Sequence, residues 1–340
     1  MLERLKSRNA LWALTAVIVT LIVLSAGLAY VLLKKDEQEV LTLKVGYLPI
    51  THALLPLVAT DRGQFTELRV EMVKFSSWPE LAEALQSGAI DAGGSILNTL
   101  AMKLVEKGVP LRSVLMAVRD GSVLVTEPSI DSAEELVGKT IAIPSRFSPH
   151  YILLVNYLED HNISIDQVTT VEMAPPDMVS ALAAGSIDAY IVAEPFGAKA
   201  ELMGIGRVLV LSKDIEIANS TSNECVIAIR TEFIDAHPAA VQDFVLQLII
   251  AGIYVTENPE EAAAIATKYI GQNETTIMRA LAEPPGRSGY LDLYPRESEY
   301  AAFQTEMVRF DLIQTPINIE EFVDESFAAE AYRSLGVEYT

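Results

Sequence analysis

The chain has 340 residues, half of them hydrophobic, which is enough for a large buried core and suggests two domains or lobes. Its 25 basic and 46 acidic residues give a formal net charge of -21. A surface of this sign repels nucleic acid and anionic lipid headgroups, so we expect no nucleic-acid partner.

The first 40 residues are predicted to be a membrane anchor or a signal segment. Residues 10–33 form an uncharged run of 24 residues, which as a helix spans the roughly 30 Å of a bilayer core. Basic residues are more frequent before this run than after it, which favours an extracytoplasmic body. Retention as a single transmembrane helix and cleavage near residues 26–29 both stay open. A lipoprotein signal is excluded because Leu28 stands where the lipid-bearing cysteine is required.

From Leu41 onward, short apolar runs alternate with helical stretches. Strands are predicted over 41–47 and 70–75, and helices over 52–60 and 79–86. This alternation predicts an α/β architecture with mostly parallel sheets.

One internal repeat organises this body. Residues 84–92, ALQSGAIDA, recur 97 positions later as residues 181–189, ALAAGSIDA, with six of nine residues identical. Each copy combines a helix end, a glycine suited to a left-handed stop, and entry into a buried strand. The aspartate is expected to accept from backbone amides. Because two such copies are present, we predict two similar lobes.

Turn-rich polar stretches at 127–132 and 214–223 predict where the chain passes between the lobes. Residues 41–127 and 218–340 are then assigned to the first lobe and residues 128–217 to the second, with a two-stranded hinge. In such sheets, ligands bind beyond the carboxyl ends of the strands. The loops that follow the predicted strands should therefore line a crevice between the lobes.

Cys225 is the only cysteine, which excludes an internal disulfide and a thiolate-rich zinc site. It lies in an apolar run that predicts a strand, and we interpret it as a small buried hydrophobe. The four histidines are too far apart in sequence to predict a metal site. No phosphate-binding loop is present, so no cofactor and no metal are predicted.

The order and spacing of several segments resemble the nitrate, sulfonate and taurine solute-binding proteins of ABC importers, which are related to the thiamine-pyrimidine binding proteins. The resemblance covers about residues 41–250. It rests on segments 45–47, 59–65, 138–143, 148–154, 194–196 and 233–241, together with both copies of the repeat. It implies a two-lobed type II periplasmic-binding fold that closes on a small solute and delivers it to a permease and its ATPase. Ser148 and His150 look sulfonate-like, whereas 194–197 looks closer to the nitrate branch.

Ten residues in the predicted crevice loops are candidate ligand contacts. They are Thr51, His52, Ser95, Gly121, Ser122, Arg146, Ser148, His150, Glu194 and Phe196. Ser148 is a helix N-cap, with or without a ligand contact, because helix N-termini also attract anions. Arg146 either donates paired hydrogen bonds from its guanidinium group to an oxyanion or is a solvated loop residue. Glu194 is expected to bind a cationic part of a solute or to pair with Arg146, and Phe196 to line the pocket or simply to pack.

The sequence thus predicts a monomeric, membrane-attached, extracytoplasmic binding protein without enzyme activity. No nucleophile, base and orienting group stand together in the loops. Binding of a thiamine-pyrimidine precursor and a biosynthetic enzyme on the same fold are the alternatives. A membrane-tethered sensor is less favoured, because only about nine residues precede the apolar run.

Overall fold

A computed structural model describes residues 20–23, 25, 41–217 and 224–338 of the protein. Residues 20–23 and 25 are helical and belong to a unit of their own. Most of the predicted membrane segment at 10–33, and residues 218–223 of the predicted first lobe, therefore lie outside the described residues. The second compact unit begins at Thr42.

Two mixed β-sheets form the centres of two lobes. The described strands are β1 (Thr42–Tyr47), β2 (Arg69–Lys74), β3 (Ala92–Leu97), β4 (Leu111–Asp120), β5 (Ser122–Thr126), β6 (Thr140–Ile143), β7 (Thr169–Glu172), β8 (Ala189–Ala193), β9 (Arg207–Leu211), β10 (Cys225–Arg230) and β11 (Ser288–Gly289). The first sheet has the order β11-β4-β10-β3-β1-β2 and the second the order β7-β6-β8-β5-β9. In each sheet three parallel strands adjoin an antiparallel one, β10 in the first and β5 in the second.

Helices accompany both sheets, and a helical tail follows β10. They are α1 (Leu54–Asp61), α2 (Trp78–Ser87), α3 (Asn98–Glu106), α4 (Pro149–Asp160), α5 (Pro175–Ala183), α6 (Phe196–Met203), α7 (Thr231–Ala236), α8 (Pro238–Glu257), α9 (Pro259–Ile270), α10 (Glu274–Ala282), α11 (Glu297–Arg309), α12 (Ile319–Phe322) and α13 (Ser326–Leu335). The tail returns to the first lobe, where β11 pairs with β4 and α8 packs against α1.

The sequence repeat is a structural repeat. Gly88 and Gly185 follow helices of 10 and 9 residues, respectively. Both glycines have left-handed φ angles, of 74° and 66°. Asp91 accepts a 2.8 Å hydrogen bond from the backbone N–H of Lys44 in β1, and Asp188 accepts one of the same length from Thr140 in β6. Each aspartate therefore fastens the start of one strand to its parallel neighbour, which explains why the motif occurs once in each lobe.

The chain first passes between the sheets at Gly121, between the last residue of β4 and the first of β5. This point precedes the predicted boundary between residues 127 and 128, because β5 already pairs with β8 and β9 of the second sheet. Gly121 has a φ of 98°, which favours glycine, and its position leaves no room for a Cβ atom. The return passage includes residues 218–223, and the predicted lobe bounds otherwise stay a prediction.

Within the described residues, α8 is the one helix long and apolar enough to cross a membrane. Its buried face includes Phe244, Val245 and Leu248, and it packs against α1 and α13. Those contacts are what a core helix of a folded lobe makes, since an apolar helix in a large protein is covered by its neighbours.

Candidate functional site

The two sheets present polar residues at the edge where their parallel strands end. In the first lobe, the antiparallel strand β10 begins at this edge, so Cys225 pairs with residues near the ends of β3 and β4. In the second lobe, β5 begins at the corresponding edge, and Ser122 pairs with Ala193 at the end of β8. The first residues of an antiparallel strand therefore lie at the same sheet edge as the loops that follow the parallel strands.

A hydrogen-bonded cluster lies where these edges meet. Ser122 donates its hydroxyl hydrogen to the Glu224 carboxylate, and its oxygen lies 2.8 Å from His150 Nε2. His52 Nδ1 lies 3.2 Å from the Cys225 sulfur. All five side chains are buried, with none more than 1% exposed. The cluster thus unites residues from both lobes in a site without access to water.

The hydrogen bond from Ser122 to Glu224 assigns one tautomer to His150. Ser122 has a single hydroxyl hydrogen, and Glu224 accepts it. His150 Nε2 is then the donor toward Ser122, which leaves His150 Nδ1 as an acceptor. This nitrogen is buried and has no hydrogen-bond partner in the described part of the chain.

Burial keeps the two histidines neutral. It lowers the pKa of His150 to about 4, although Glu224 opposes this, and it lowers the pKa of His52 in the same way. Burial also raises the pKa of the Cys225 thiol well above its usual value, and Glu224 adds to that rise. Cys225 is therefore a thiol rather than a reactive thiolate.

Asp120 borders the cluster at the end of β4. It is a non-glycine residue with a left-handed φ of 57°, and its Oδ1 is buried with no hydrogen-bond partner within the described residues. Burial, with a further contribution from Glu224, raises the pKa of Asp120 to about 7. A carboxyl group that titrates near neutrality at a cleft is a candidate for a functional role.

Glu194 joins the lobes through its main chain and its side chain. Its carbonyl oxygen accepts from the backbone N–H of Thr51 at 2.8 Å and from the Thr51 hydroxyl at 3.0 Å. Its carboxylate accepts from Arg287 Nε at 2.6 Å and from the backbone N–H of Ala198 at 3.0 Å. Arg287 also donates to Glu201 of α6 at 2.9 Å. Glu194 therefore pairs with Arg287 and not with Arg146, which was one of the two partners expected from the sequence. The other, a cationic part of a solute, stays a prediction.

The remaining predicted contacts lie in different settings. Ser95 is fully buried, and its hydroxyl has no hydrogen-bond partner among the residues described. Ser148 occupies the N-cap position of α4, but its hydroxyl donates to the Ser145 carbonyl oxygen at 2.6 Å instead of capping the helix. Arg146 is exposed, with its guanidinium 5.3 Å from the ring centre of Tyr151. The structure thus does not bring Arg146 into the cluster.

A cavity of about 620 Å³ lies between the lobes. Pro49 and Phe75 line it from loops after β1 and β2, and Pro176 and Phe196 line it from the second lobe. Another cavity of about 620 Å³ is lined by residues where β4 begins, including Arg112, so it lies at the opposite edge of the first sheet. The position of the first cavity at the strand ends of both lobes fits a ligand chamber.

Sequence reasoning missed several residues of the site. Glu224 precedes a strand instead of following one, so a rule based on strand ends overlooks it. Arg287 and Tyr290 lie in the tail, where nothing local indicates that Tyr290 donates to the Thr51 carbonyl oxygen at 3.0 Å. Among the described residues, no three histidine, cysteine or acidic side chains converge as a metal site.

Several proteins named for solute binding or transport are similar in sequence to this chain. It is 31% identical over 194 residues to the taurine-binding periplasmic protein of Escherichia coli, covering 56% of this chain and 59% of that one. It is 24% identical over 328 residues to a putative aliphatic sulfonates-binding protein of Bacillus subtilis, covering 93% and 95%. It is 26% identical over 327 residues to the bicarbonate transport ATP-binding protein of Synechocystis, covering 84% of this chain. The chain spans about half the length of that relative, 48%.

Solved structures share the two-lobed architecture. A ligand-binding component of an ABC-type import system from Staphylococcus aureus, solved with zinc bound, has a TM-score of 0.78 and 30% identity, covering 86% of this chain and 99% of that one. The periplasmic nitrate-binding protein of Synechocystis has a TM-score of 0.77 and 18% identity, covering 88% and 90%. These likenesses confirm an α/β periplasmic-binding fold. The model of the NMT1-like family matches residues 36–270, and the chain belongs to this family.

Proposed function

We propose that the protein is the solute-binding component of an ABC importer, which closes its two lobes on a small solute and delivers it to a permease and its ATPase. The observation that carries this proposal is the burial of polar side chains from both lobes against one another. Thr51, Ser122, His150 and Glu194 are at most 1% exposed, although each carries polar groups. Polar groups brought together in this way suit recognition of a polar solute in a closing cleft.

The fold we propose in detail is the type II arrangement with a two-stranded hinge. One crossing is at Gly121, beside the cluster. The other leads from β9 to β10 and reaches the cluster at Glu224. A hinge at this place would let lobe closure assemble the Ser122–Glu224–His150 contacts, because residues of both crossings take part in them.

The solute belongs, in this proposal, to the nitrate, sulfonate or taurine class. The relatives named for taurine and for aliphatic sulfonates support that class. A thiamine-pyrimidine precursor stays the alternative from the sequence resemblance. The cavity of about 620 Å³ is roomy enough for solutes larger than nitrate.

We propose an extracytoplasmic location with attachment through residues 10–33. Leu21, Ile22 and Val23 are helical and leave 60%, 59% and 64% of their surface exposed, as lipid-facing residues of a membrane helix would. The relatives' roles in import systems support the permease and ATPase partners. A monomer is proposed for the body.

Binding without turnover is the proposed activity. His52 and Cys225 are adjacent, as a nucleophile and a base would be, but burial raises the pKa of the thiol and so disfavours a thiolate. A solute incubated with the protein should be recovered unchanged by mass spectrometry. Recovery of a converted product that requires His52 or His150 would contradict this part of the proposal.

A thermal-shift and calorimetric screen tests the proposed function. The purified chain would be titrated with nitrate, alkanesulfonates, taurine and pyrimidines. A ligand present at 100 times its dissociation constant stabilises a protein by about 2.7 kcal/mol, which is readily detected. Binding that is lost when Ser122 is replaced by alanine supports the proposal. If no small solute binds at millimolar concentration, the proposal is wrong.

A further inference from the structure

We infer that the solute carries a cationic N–H donor group, such as an ammonium or an amidinium, which binds beside Asp120 in the cluster around Ser122. This inference deepens the proposed function and rests on it. It separates zwitterions and organic cations from nitrate and simple sulfonates, which carry no such group.

The first observation is that the cluster contains buried polar atoms without a partner. Asp120 Oδ1, His150 Nδ1 and His52 Nε2 are buried, and none has a hydrogen-bond partner in the described ranges. The hydrogen count at Ser122 makes His150 Nδ1 an acceptor, and a carboxylate oxygen is an acceptor as well. Buried acceptors in native proteins are nearly always paired, so these two suit a ligand that donates hydrogen bonds.

The second observation is the charge of the cluster. Asp120 ends β4, and Glu224 immediately precedes the adjacent strand β10, so two carboxyl groups approach the same edge. The imidazoles of His52 and His150, both fully buried, are neutral. Positive charge on the solute would favour the ionised carboxylates in this low-dielectric site.

The third observation concerns the cations nearby, which already bind carboxylates. Arg119 donates to Glu299 at 2.7 Å, and Lys213 donates to Asp214 at 2.7 Å. Arg287 is engaged by Glu194 and Glu201, as described above. An anionic solute at Asp120 would therefore meet carboxylates first, and these three cations already bind carboxylates.

A metal ion is less suited to the site than an organic cation. No three ligating side chains converge among the described residues, so a metal would lack a protein ligand set there. Unpaired acceptors at separate positions suit a group with several N–H bonds, such as an amidinium. Because a relative was solved with zinc bound, Zn²⁺ is the rival probe.

The pKa of Asp120 predicts how the affinity for the solute depends on pH. Burial raises this pKa to about 7, and the negative charges of Glu224 and Asp214 add to the rise. The positive charges of Arg119 and Lys213 oppose it. The side chains of His52, His150 and Cys225 in the cluster are neutral. A bound cation favours the ionised form, so binding releases a proton and affinity should increase with pH. For a pKa near 7, the ionised fraction, and with it the affinity, rises about 10-fold between pH 6 and pH 8.

Isothermal titration calorimetry with matched probes tests the inference on the full chain. Benzamidine and benzoate have the same shape and opposite charge, and taurine differs from ethanesulfonate by its ammonium group. We expect benzamidine and taurine to bind, with benzamidine binding about 10-fold tighter at pH 8 than at pH 6. Benzoate, ethanesulfonate and nitrate should bind at least 10-fold more weakly than their cationic counterparts.

The matched variants are Asp120→Asn and Asp311→Asn. Asp311 is exposed and also has a left-handed φ, of 56°, so the two changes are alike in backbone and chemistry. Loss of one charged hydrogen bond should weaken benzamidine binding by about 10- to 100-fold in Asp120→Asn and leave Asp311→Asn unchanged. The pH dependence of the unsubstituted protein provides an independent measurement should Asp120→Asn not fold.

The outcomes separate the inference from the proposed function. If nitrate or ethanesulfonate binds and the cationic probes do not, the solute-binding function stands and this inference is wrong. Binding of Zn²⁺ that requires Asp120, without binding of benzamidine, also overturns it. If none of the probes binds and the wider solute screen is negative too, both proposals fall.

Discussion

The ion pair between Arg287 and Glu194 gives the sharpest prediction about stability. Both side chains are almost completely buried, at 1% and 0% exposure, and they join the tail after α10 to the end of β8. Arg287→Met removes the guanidinium and keeps most of the apolar volume. The Glu194 carboxylate then retains the Ala198 N–H bond but loses its charged partner.

The expected cost follows from leaving a charge buried. Removing one partner of a buried ion pair typically lowers the unfolding free energy by about 3–5 kcal/mol. Burial raises the pKa of Glu194, and Arg287 opposes that rise. Without Arg287 the carboxyl should take up a proton more readily in the folded state. Its folded pKa then lies above the unfolded value, so the stability of the variant should fall as pH rises and recover toward acidic pH.

Urea denaturation measures these free energies by linear extrapolation. Arg287→Met should be destabilised by about 3–5 kcal/mol at pH 8 and by less at pH 5. The double variant Arg287→Met with Glu194→Gln carries neither charge and should be more stable than Arg287→Met alone.

Arg333→Met is the matched control. Arg333 pairs with Glu330 on an exposed helix face, with side chains 72% and 52% exposed, and its loss should cost less than about 1 kcal/mol. If Arg287→Met costs no more than Arg333→Met, the buried pair does not stabilise the folded protein and the reasoning fails.

Three further predictions concern the hinge, the buried histidine and the N-terminal segment. Gly121→Ala should lower the unfolding free energy by about 1–3 kcal/mol more than Gly63→Ala. Both glycines have positive φ, but only at Gly121 would a Cβ atom lie 2.7 Å from an imidazole nitrogen, so equal costs in urea denaturation would contradict the geometry. Because the folded pKa of His150 is lowered to about 4, stability should be lost as pH falls from about 6.5 toward 4, by up to about 3 kcal/mol. His150→Asn should reduce that loss, whereas substitution of the exposed His161 by asparagine should not. The explanation is wrong if the unfolding free energy falls by the same amount between pH 7 and pH 4 in both variants. Deletion of residues 1–40 should leave one cooperative melting transition in calorimetry, and its absence would show that the segment contributes to folding of the body.

Local patterns in the sequence determined the architecture of this protein. Alternating strands and helices predicted the α/β class, and the repeated glycine and aspartate predicted two similar lobes. The structure bears out the repeat, because Gly88 and Gly185 end helices and Asp91 and Asp188 fasten neighbouring strands. The resemblance to solute-binding proteins of ABC importers is confirmed by the family match together with the taurine- and sulfonate-binding relatives and the nitrate-binding structure. Such signals are readable because each depends on a few adjacent residues.

The tertiary structure alone decided how the cleft residues are paired. Arg287 reaches Glu194 across 93 positions of sequence, whereas Arg146, on a predicted cleft loop, lies exposed beside Tyr151. Glu224 joins Ser122 because the antiparallel strand β10 starts at the edge where parallel strands end. These pairings depend on strand order and on how the tail packs, which are set by the packing of the whole chain rather than by any short segment. The sequence placed polar residues at the cleft, and only the packed fold determined which of them bind each other.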